Sequence, residues 1–425
     1  MGIIVPLTVI FFACLLIWRA CDGFEKASDY IGRNLSEGVR GGTINAVASS
    51  VPELFTTLIA LFVLSDKDGF SVGIGTTAGS ALFNGMVIPA LCIFGVVGAV
   101  VAGKRVESVN VMPKVLLRDG LSLIACEFIL LLCINGTSLH WWQGAILMGL
   151  YLTYLAYTLI SMKAKVQTDE DDDDEDDEDD EDEENDEPRG AAALVFYWLS
   201  LGPLLDLEGM FIKEKQKEQI RQETWNGWPL LIAATAVIGL ACLFLVHACE
   251  WIGADTYVLL GQEFSGLNMP TMFVAVIFAS MATSVPDTVI SIRDARDGDY
   301  DDAVANALGS NIFDICFALG FPLFLYTLAF GPITMSEEIA NQSAELRILL
   351  LIFTVVGFFI YYIGKRVEGA EGQKLITMGK VKAISLMAIY TSFVAYIIGL
   401  GAGEEWAKSI SGELRKLADM LPSLT

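Results

Sequence analysis

The sequence predicts an all-α polytopic membrane protein of ten transmembrane helices, arranged as two inverted five-helix repeats. Three observations lead there. Apolar runs of spanning length recur along the chain, basic residues alternate among the loops between them, and two short polar motifs occur once in each half.

The 425 residues are 54% hydrophobic, with a mean hydropathy of +0.53. That is too apolar for an ordinary soluble domain. A helix needs about 20 apolar residues to cross a bilayer. Ten runs of that order fall near 3–21, 41–64, 72–102, 116–134, 141–162, 227–247, 269–292, 302–328, 346–364 and 382–400. The first lacks the basic region and the small-residue cleavage site of a signal peptide, so it is expected to stay as a helix. The eight cysteines sit in or at the ends of these runs and none forms a CxxC pair. They read as small apolar residues, with neither a disulfide framework nor a zinc site.

The net charge of −25 belongs mostly to one segment. Residues 169–184, DEDDDDEDDEDDEDEE, supply sixteen negative charges, and without these, Asp186 and Glu187 the remainder is −7. Such a run repels itself and reads as a solvated linker. Lysine and arginine concentrate in the odd-numbered loops, with Lys104, Arg105 and Lys114 in the third and Lys365, Arg366, Lys374, Lys380 and Lys382 in the ninth. The even loops hold essentially only Lys67. The positive-inside rule then places both termini on the non-cytosolic side and the acidic loop in the cytosol. The apolar stretch 191–205 is short for a span and fits an interfacial segment. The expected organisation is therefore a first repeat over 1–165, a cytosolic loop over 166–225, a second repeat over 226–403 and a tail over 404–425. In the tail, Trp406, Ile410, Leu414, Leu417 and Leu421 recur at helical spacing, which predicts an amphipathic helix on the membrane surface.

The motifs carry the chemistry. ASSVPE (Ala48–Glu53) lies in the second run and ATSVPD (Ala282–Asp287) in the seventh; GSALFN (Gly79–Asn84) lies in the third and GSNIFD (Gly309–Asp314) in the eighth. Two motifs repeated in the same order point to duplication, and a duplicated unit of five spans must lie inverted. Inverted repeats with broken polar helices mark the binding site of a secondary transporter. Proline removes a backbone hydrogen bond, and a carbonyl freed at membrane depth needs another partner, which a cation can be. Ser49, Ser50 and Glu53 share one helix face, as do Thr283, Ser284 and Asp287; Ser80 and Asn84 are four apart, as are Ser310 and Asp314. These ten residues offer only oxygen ligands, a set suited to Ca2+ and Na+ rather than to softer metals. A serine alone could serve only helix packing. An intramembrane carboxylate is a functional candidate by default. The three here, Glu53, Asp287 and Asp314, can be neutralised by one divalent plus one monovalent cation or by several monovalent ones. Two alternative ways of neutralising one site are what an exchanger requires.

These motifs resemble the repeats of the cation/Ca2+ exchanger superfamily, most of all its potassium-dependent sodium/calcium exchangers. SSVPELF, GSALFN, TSVPD and GSNIFDICFALGFP carry the resemblance, which extends over both halves. It implies the sodium/calcium exchanger fold, with ions bound where the four motif helices cross and with the first and sixth helices moving past the rest. It implies Glu53 and Asp287 as central Ca2+ ligands. Ser49, Ser50, Thr283 and Ser284 would supply further oxygens, and Ser80, Asn84, Ser310 and Asp314 would complete the site. An aspartate at the position of Asp314 accompanies potassium dependence in that family. Relatives usually carry glycine where Ala48 and Ala282 stand here, and an apolar residue in place of Asn45.

The expected function is antiport of Na+ against Ca2+, with K+ moved as well. The protein is then no enzyme and needs no cofactor; its partners are the three ions and the lipid bilayer, with no nucleic acid. A proton-coupled Ca2+ antiporter is the nearest alternative. From another class, an intramembrane aspartyl hydrolase would use Asp287 and Asp314 as an acid pair, but it would leave Glu53, Asn84 and the duplication unexplained.

Overall fold

The computed structural model describes residues 2–32, 46–63, 69–101, 104–169, 206–211, 227–368 and 372–422. The acidic run beyond Asp169, the segment 191–205, Lys67 and Asn45 lie outside the described residues.

Among the described residues, helix occupies most of each of the ten apolar stretches. In chain order these are α1 (Ile4–Gly32), the pair α2 (Ala46–Ser49) and α3 (Val51–Phe62), then α4 (Gly69–Leu82) running through a π-helical turn π1 (Phe83–Val87) into α5 (Ile88–Val96), then α6 (Pro113–Cys133) and α7 (Trp141–Asp169). A short α8 (Leu207–Phe211) precedes α9 (Gly227–Gly253). Then come α10 (Thr271–Val274), π2 (Ala275–Ala279), α11 (Ser280–Thr283) and α12 (Val285–Asp297), followed by α13 (Tyr300–Phe313), π3 (Asp314–Ala318) and α14 (Leu319–Phe330). The chain ends with α15 (Glu337–Tyr362), α16 (Lys380–Gly401) and α17 (Glu405–Asp419).

Among the described residues, seven of these stretches are long and apolar enough to cross a membrane, and the pair 271–283 and 285–297, bent by 44°, makes an eighth. The expected count of ten is not reached on length and composition, for two local reasons. α6 carries Lys114, Arg118, Asp119 and Glu127, and α3 is only 12 residues long because Pro52 sits in its first turn and the chain breaks before it.

Short antiparallel sheets tie the two halves of the chain together at both ends of the bundle. Two pairs are local hairpins, β1 (Val100–Val101) with β2 (Lys104–Arg105) and β5 (Thr256–Leu259) with β6 (Gln262–Ser265). At one end β3 (Val109–Val111) pairs with β9 (Lys374–Met378), which also pairs with β8 (Arg366–Glu368). At the other, β4 (Ser138–Leu139) pairs with β7 (Ile333–Thr334). These pairings fix helix direction. α6 runs from the β3 end to the β4 end, whereas α15 runs from the β7 end to the β8 end, so the fourth long helices of the two halves are antiparallel. α5 leads to the β3 end and α14 to the β7 end, so the third pair is opposed as well.

The core falls into two apolar clusters. α1 and α9 pack along each other through Ile10, Ala13, Ile17 and Ala20 against Leu230, Ala234, Ile238 and Ala241. The other helices share the larger cluster. Small residues on α1 and α9 let the backbones approach, which is where helices in lipid gain their packing energy. α12 stops at Gly298, whose φ of 103° is the left-handed conformation glycine adopts readily.

α17 packs one face on the bundle. Ala407, Ser411 and Leu414 turn inward, while Trp406, Ile410 and Leu417 are 48%, 42% and 48% exposed. The cause is polar. Glu345 on α15 is buried and needs donors, and Ser411 Oγ at 2.8 Å and the Arg415 guanidinium supply them from α17.

Candidate functional site

The two proline-broken segments have the same local form. The backbone at Ser50 (φ −97°, ψ 4°) and at Ser284 (φ −80°, ψ 3°) leaves the helical region, and a new helix begins at the following valine. Pro52 and Pro286 stand in its first turn, where a missing N–H costs least. Neither proline can donate to the carbonyl four residues earlier, that of Ala48 or Ala282. Glu53 and Asp287 lie in the same first turns, where the positive end of the helix dipole favours a carboxylate.

The other two motif segments pass from α-helix into a π-turn at matching places. π1 starts at Phe83, beside Asn84, and π3 starts at Asp314. Such turns shift the hydrogen-bond ladder by one residue and tend to sit at functional positions. Gly79 lets α4 come within backbone distance of the 271–283 segment. A Cβ there would meet the Val276 carbonyl oxygen at 2.2 Å and Ser280 Cβ at 2.7 Å. That approach carries the next residue, Ser80, into the centre.

Ser80 joins the segments. Its Oγ lies 3.1 Å from both Glu53 Oε1 and Asp314 Oδ2, either of which can take its single proton, and 2.8 Å from Ser284 Oγ. Asn84 Nδ2 lies 3.1 Å from Asp287 Oδ2, 3.3 Å from Ser310 Oγ and 3.4 Å from Ser80 Oγ, and its two protons serve two of these acceptors. The Ser49 hydroxyl lies against the Asp287 carboxylate, and Thr283 lies beside Glu53 and donates to the Ser280 carbonyl at 3.2 Å. Ser50 faces Asp314. All ten residues singled out from the sequence meet in this one cluster, and none is more than 1% exposed.

The cluster is rich in acceptors and poor in cations. Glu53 Oε2, Asp287 Oδ1, Asp314 Oδ1 and Asn84 Oδ1 are buried without a hydrogen-bond partner. Among the described residues no lysine, arginine or histidine forms an ion pair with the three carboxylates. Nor do three His, Cys, Asp or Glu side chains converge as a compact all-acid metal centre. Hydroxyls and the Asn84 amide stand between the carboxylates instead. Such a set can replace the water shell of a hard cation with mixed oxygens. Buried carboxylates without compensation are costly, so a bound cation is the natural complement.

Several residues around the cluster went unmarked in the sequence. Asn311 Nδ2 donates to the Ala81 carbonyl at 2.9 Å, and the Tyr361 hydroxyl donates to the Gly85 carbonyl, so both hold the chain entering or forming π1. Cys242 Sγ lies 3.5 Å from the Pro52 carbonyl oxygen. Asn311 could have been noticed as a second amide within GSNIFD; Tyr361 and Cys242 meet the site only through the fold.

The family model described as sodium/calcium exchanger protein matches residues 5–160 and 226–399. The human sodium/potassium/calcium exchanger 5 is 24% identical over 94% of this chain and 84% of its own length. The human sodium/potassium/calcium exchanger 3 is 35% identical, but the match spans only 34% of this chain and 20% of that relative. Among solved structures, the crystal structure of the H+/Ca2+ exchanger CAX is 10% identical with a TM-score of 0.54, covering 97% of this chain and 89% of that one, a likeness of fold alone. The two blocks of the family match take in every residue of the buried cluster and most of the chain, and the protein belongs to the sodium/calcium exchanger protein family, whose members are membrane transporters and not enzymes.

Proposed function

We propose that the protein is a secondary active antiporter that exchanges Na+ for Ca2+, with K+ carried alongside Ca2+, by alternating access around the Ser80-centred cluster. The observation that carries this reading is the placing of Ser80 Oγ within hydrogen-bond reach of Glu53, Asp314 and Ser284, which come from three other motif segments and from both halves of the chain. Ions are released to opposite sides by parting elements that share ligands, and a site built across the two halves permits that.

In this reading Glu53 and Asp287 hold Ca2+, with Ser49, Ser50, Thr283 and Ser284 as further oxygens, and Ser80, Asn84, Ser310 and Asp314 completing the set. Ca2+ plus one monovalent cation cancels the three carboxylate charges, and so do Na+ ions alone. The architecture is ten spans in two inverted five-helix repeats over 1–165 and 226–403. The opposed directions of α6 and α15, and of α5 and α14, support it. Basic residues at the β8–β9 end set that end in the cytosol, with both termini and α17 on the other side. α7 ends at this cytosolic end, so the acidic run follows there.

Human relatives named sodium/potassium/calcium exchangers support the choice of ions. The experiment is Ca2+ flux in proteoliposomes under imposed Na+, K+ or H+ gradients. An outward Na+ gradient is expected to drive Ca2+ uptake. Uptake driven only by a proton gradient would replace this reading with a proton-coupled antiporter.

A further inference from the structure

A fourth carboxylate lies inside the bundle and outside the ion cluster. Glu127, on α6, is 1% exposed. Its Oε1 accepts from Thr354 Oγ1 of α15 at 2.7 Å, and its Oε2 is buried with no hydrogen-bond partner. The titratable groups that interact with it are the thiols of Cys126 on its own helix and Cys316 on π3, and neither brings a positive charge. Thr354 also lines a small, almost wholly apolar cavity, together with Tyr361, Phe358, Gly120, Leu308 and Gly85. Gly85 belongs to π1 and follows Asn84 directly; its carbonyl takes the Tyr361 hydroxyl.

We propose that Glu127 is a proton-binding site in the membrane interior, separate from the ion cluster, and that loss of its proton disturbs the packing of α6 on α15 and, across the shared cavity, the π1 turn that carries Asn84.

The ligand follows from coordination chemistry. Ca2+ takes six to eight oxygens, and Na+ and K+ likewise need several. Glu127 has one hydroxyl as its hydrogen-bond partner, that of Thr354, which also lines the apolar cavity. That setting is too poor in oxygens for a metal ion but sufficient for a protonated carboxyl, which needs one acceptor or donor partner and carries no charge to solvate. Neutral, Glu127 bridges α6 and α15 through Thr354. Ionised, it places an uncompensated charge at the helix interface, and water or a helix shift has to relieve it.

Two readouts test this on the full chain reconstituted in liposomes. The first is difference infrared spectroscopy of the carboxylic acid carbonyl stretch across a pH titration without transported ions. It does not depend on the proposed antiport. A band from a protonated, singly hydrogen-bonded carboxyl is expected at neutral pH, present in Asp287→Asn, absent in Glu127→Gln, and moved to the frequency of a free acid in Thr354→Val. The second is Na+-driven Ca2+ uptake against pH. Wild type is expected to lose uptake on the alkaline side, while Glu127→Gln keeps neutral-pH uptake and loses several-fold less at alkaline pH. Thr354→Val should move the alkaline limb without removing it. An unchanged infrared band in Glu127→Gln, or a wild-type pH profile in that variant, overturns the proposal. Failure of Ca2+ uptake in wild type with the band changes as expected would instead strike the antiport reading alone.

Discussion

At the scale of single residues, charge decides. Asp287 is buried completely, and Asn84 bridges one of its oxygens while the other has no partner. Asp287→Asn keeps the shape and removes one of three negative charges from a site where charges interact strongly. Ca2+ uptake is expected to fall to background in this variant, at least a hundredfold, roughly 2.7 kcal/mol; normal 45Ca uptake by folded Asp287→Asn would dislodge the site assignment. In the proposed exchange Asp314 would have a different part: Ca2+ would cancel two charges, and the third would call for a monovalent partner at a position where asparagine would need none. Replacing K+ by choline is therefore expected to slow Ca2+ transport in the wild type and to leave Asp314→Asn indifferent. Equal wild-type rates with and without K+ would take potassium out of the mechanism. The same logic of charge explains what the sequence hid. All ten cluster residues were legible because each motif occurs twice and each carries polarity where hydrocarbon disfavours it. Glu127 and Arg347 bear the same signal without a repeat. Arg347 is 1% exposed and donates to the carbonyls of Ser343 at 3.0 Å and Leu131 at 3.2 Å, serving the end of α6.

At the scale of elements, the places of the helices followed from hydropathy, but their interruptions did so only where proline announces them. The breaks at Ser50 and Ser284 are of that kind. The π-turns at Phe83 and Asp314 have no residue signature; around the first, Asn311 and Tyr361 from other helices take the carbonyls of Ala81 and Gly85. The two- to five-residue strands escaped for a related reason: each is too short to show a period, and β3 and β4 find their partners β9 and β7 far along the chain. Packing between elements gives a prediction of its own. The Gly79 Cα faces the Val276 carbonyl so closely that alanine must push α4 away from the 271–283 segment. Overpacking of this kind costs about 1–3 kcal/mol. Gly79→Ala is expected to lower the unfolding temperature in detergent by a few degrees and to reduce Ca2+ uptake more than tenfold, since Ser80 moves with the helix. Alanine at Gly149, where no atom lies within 4 Å of the added Cβ, serves as the control and should change neither.

For the whole molecule, the question is how far the large acidic segment reaches into the work of the transporter. Its sixteen consecutive charges dominate the net charge of −25, so a long-range field on a cation site is the natural suspicion. Geometry and screening argue against it. α7 delivers the chain to the β3–β9 end of the bundle, while the cluster is held between the broken helices and is shielded from solvent on every side. At physiological ionic strength charges in water are screened over about 8 Å, and a solvated run is surrounded by counterions. Its field can raise the local cation concentration near that end, which affects all cations by their charge and leaves the chemistry of the oxygen ligands untouched. Deleting residues 169–187 is therefore expected to leave the Na+/Ca2+ preference within about twofold of wild type, while any change in apparent Ca2+ affinity on that side should vanish as salt is raised. A shifted ion preference that persists at high salt would mean that the run touches the bundle and takes part in setting which ions the cluster accepts.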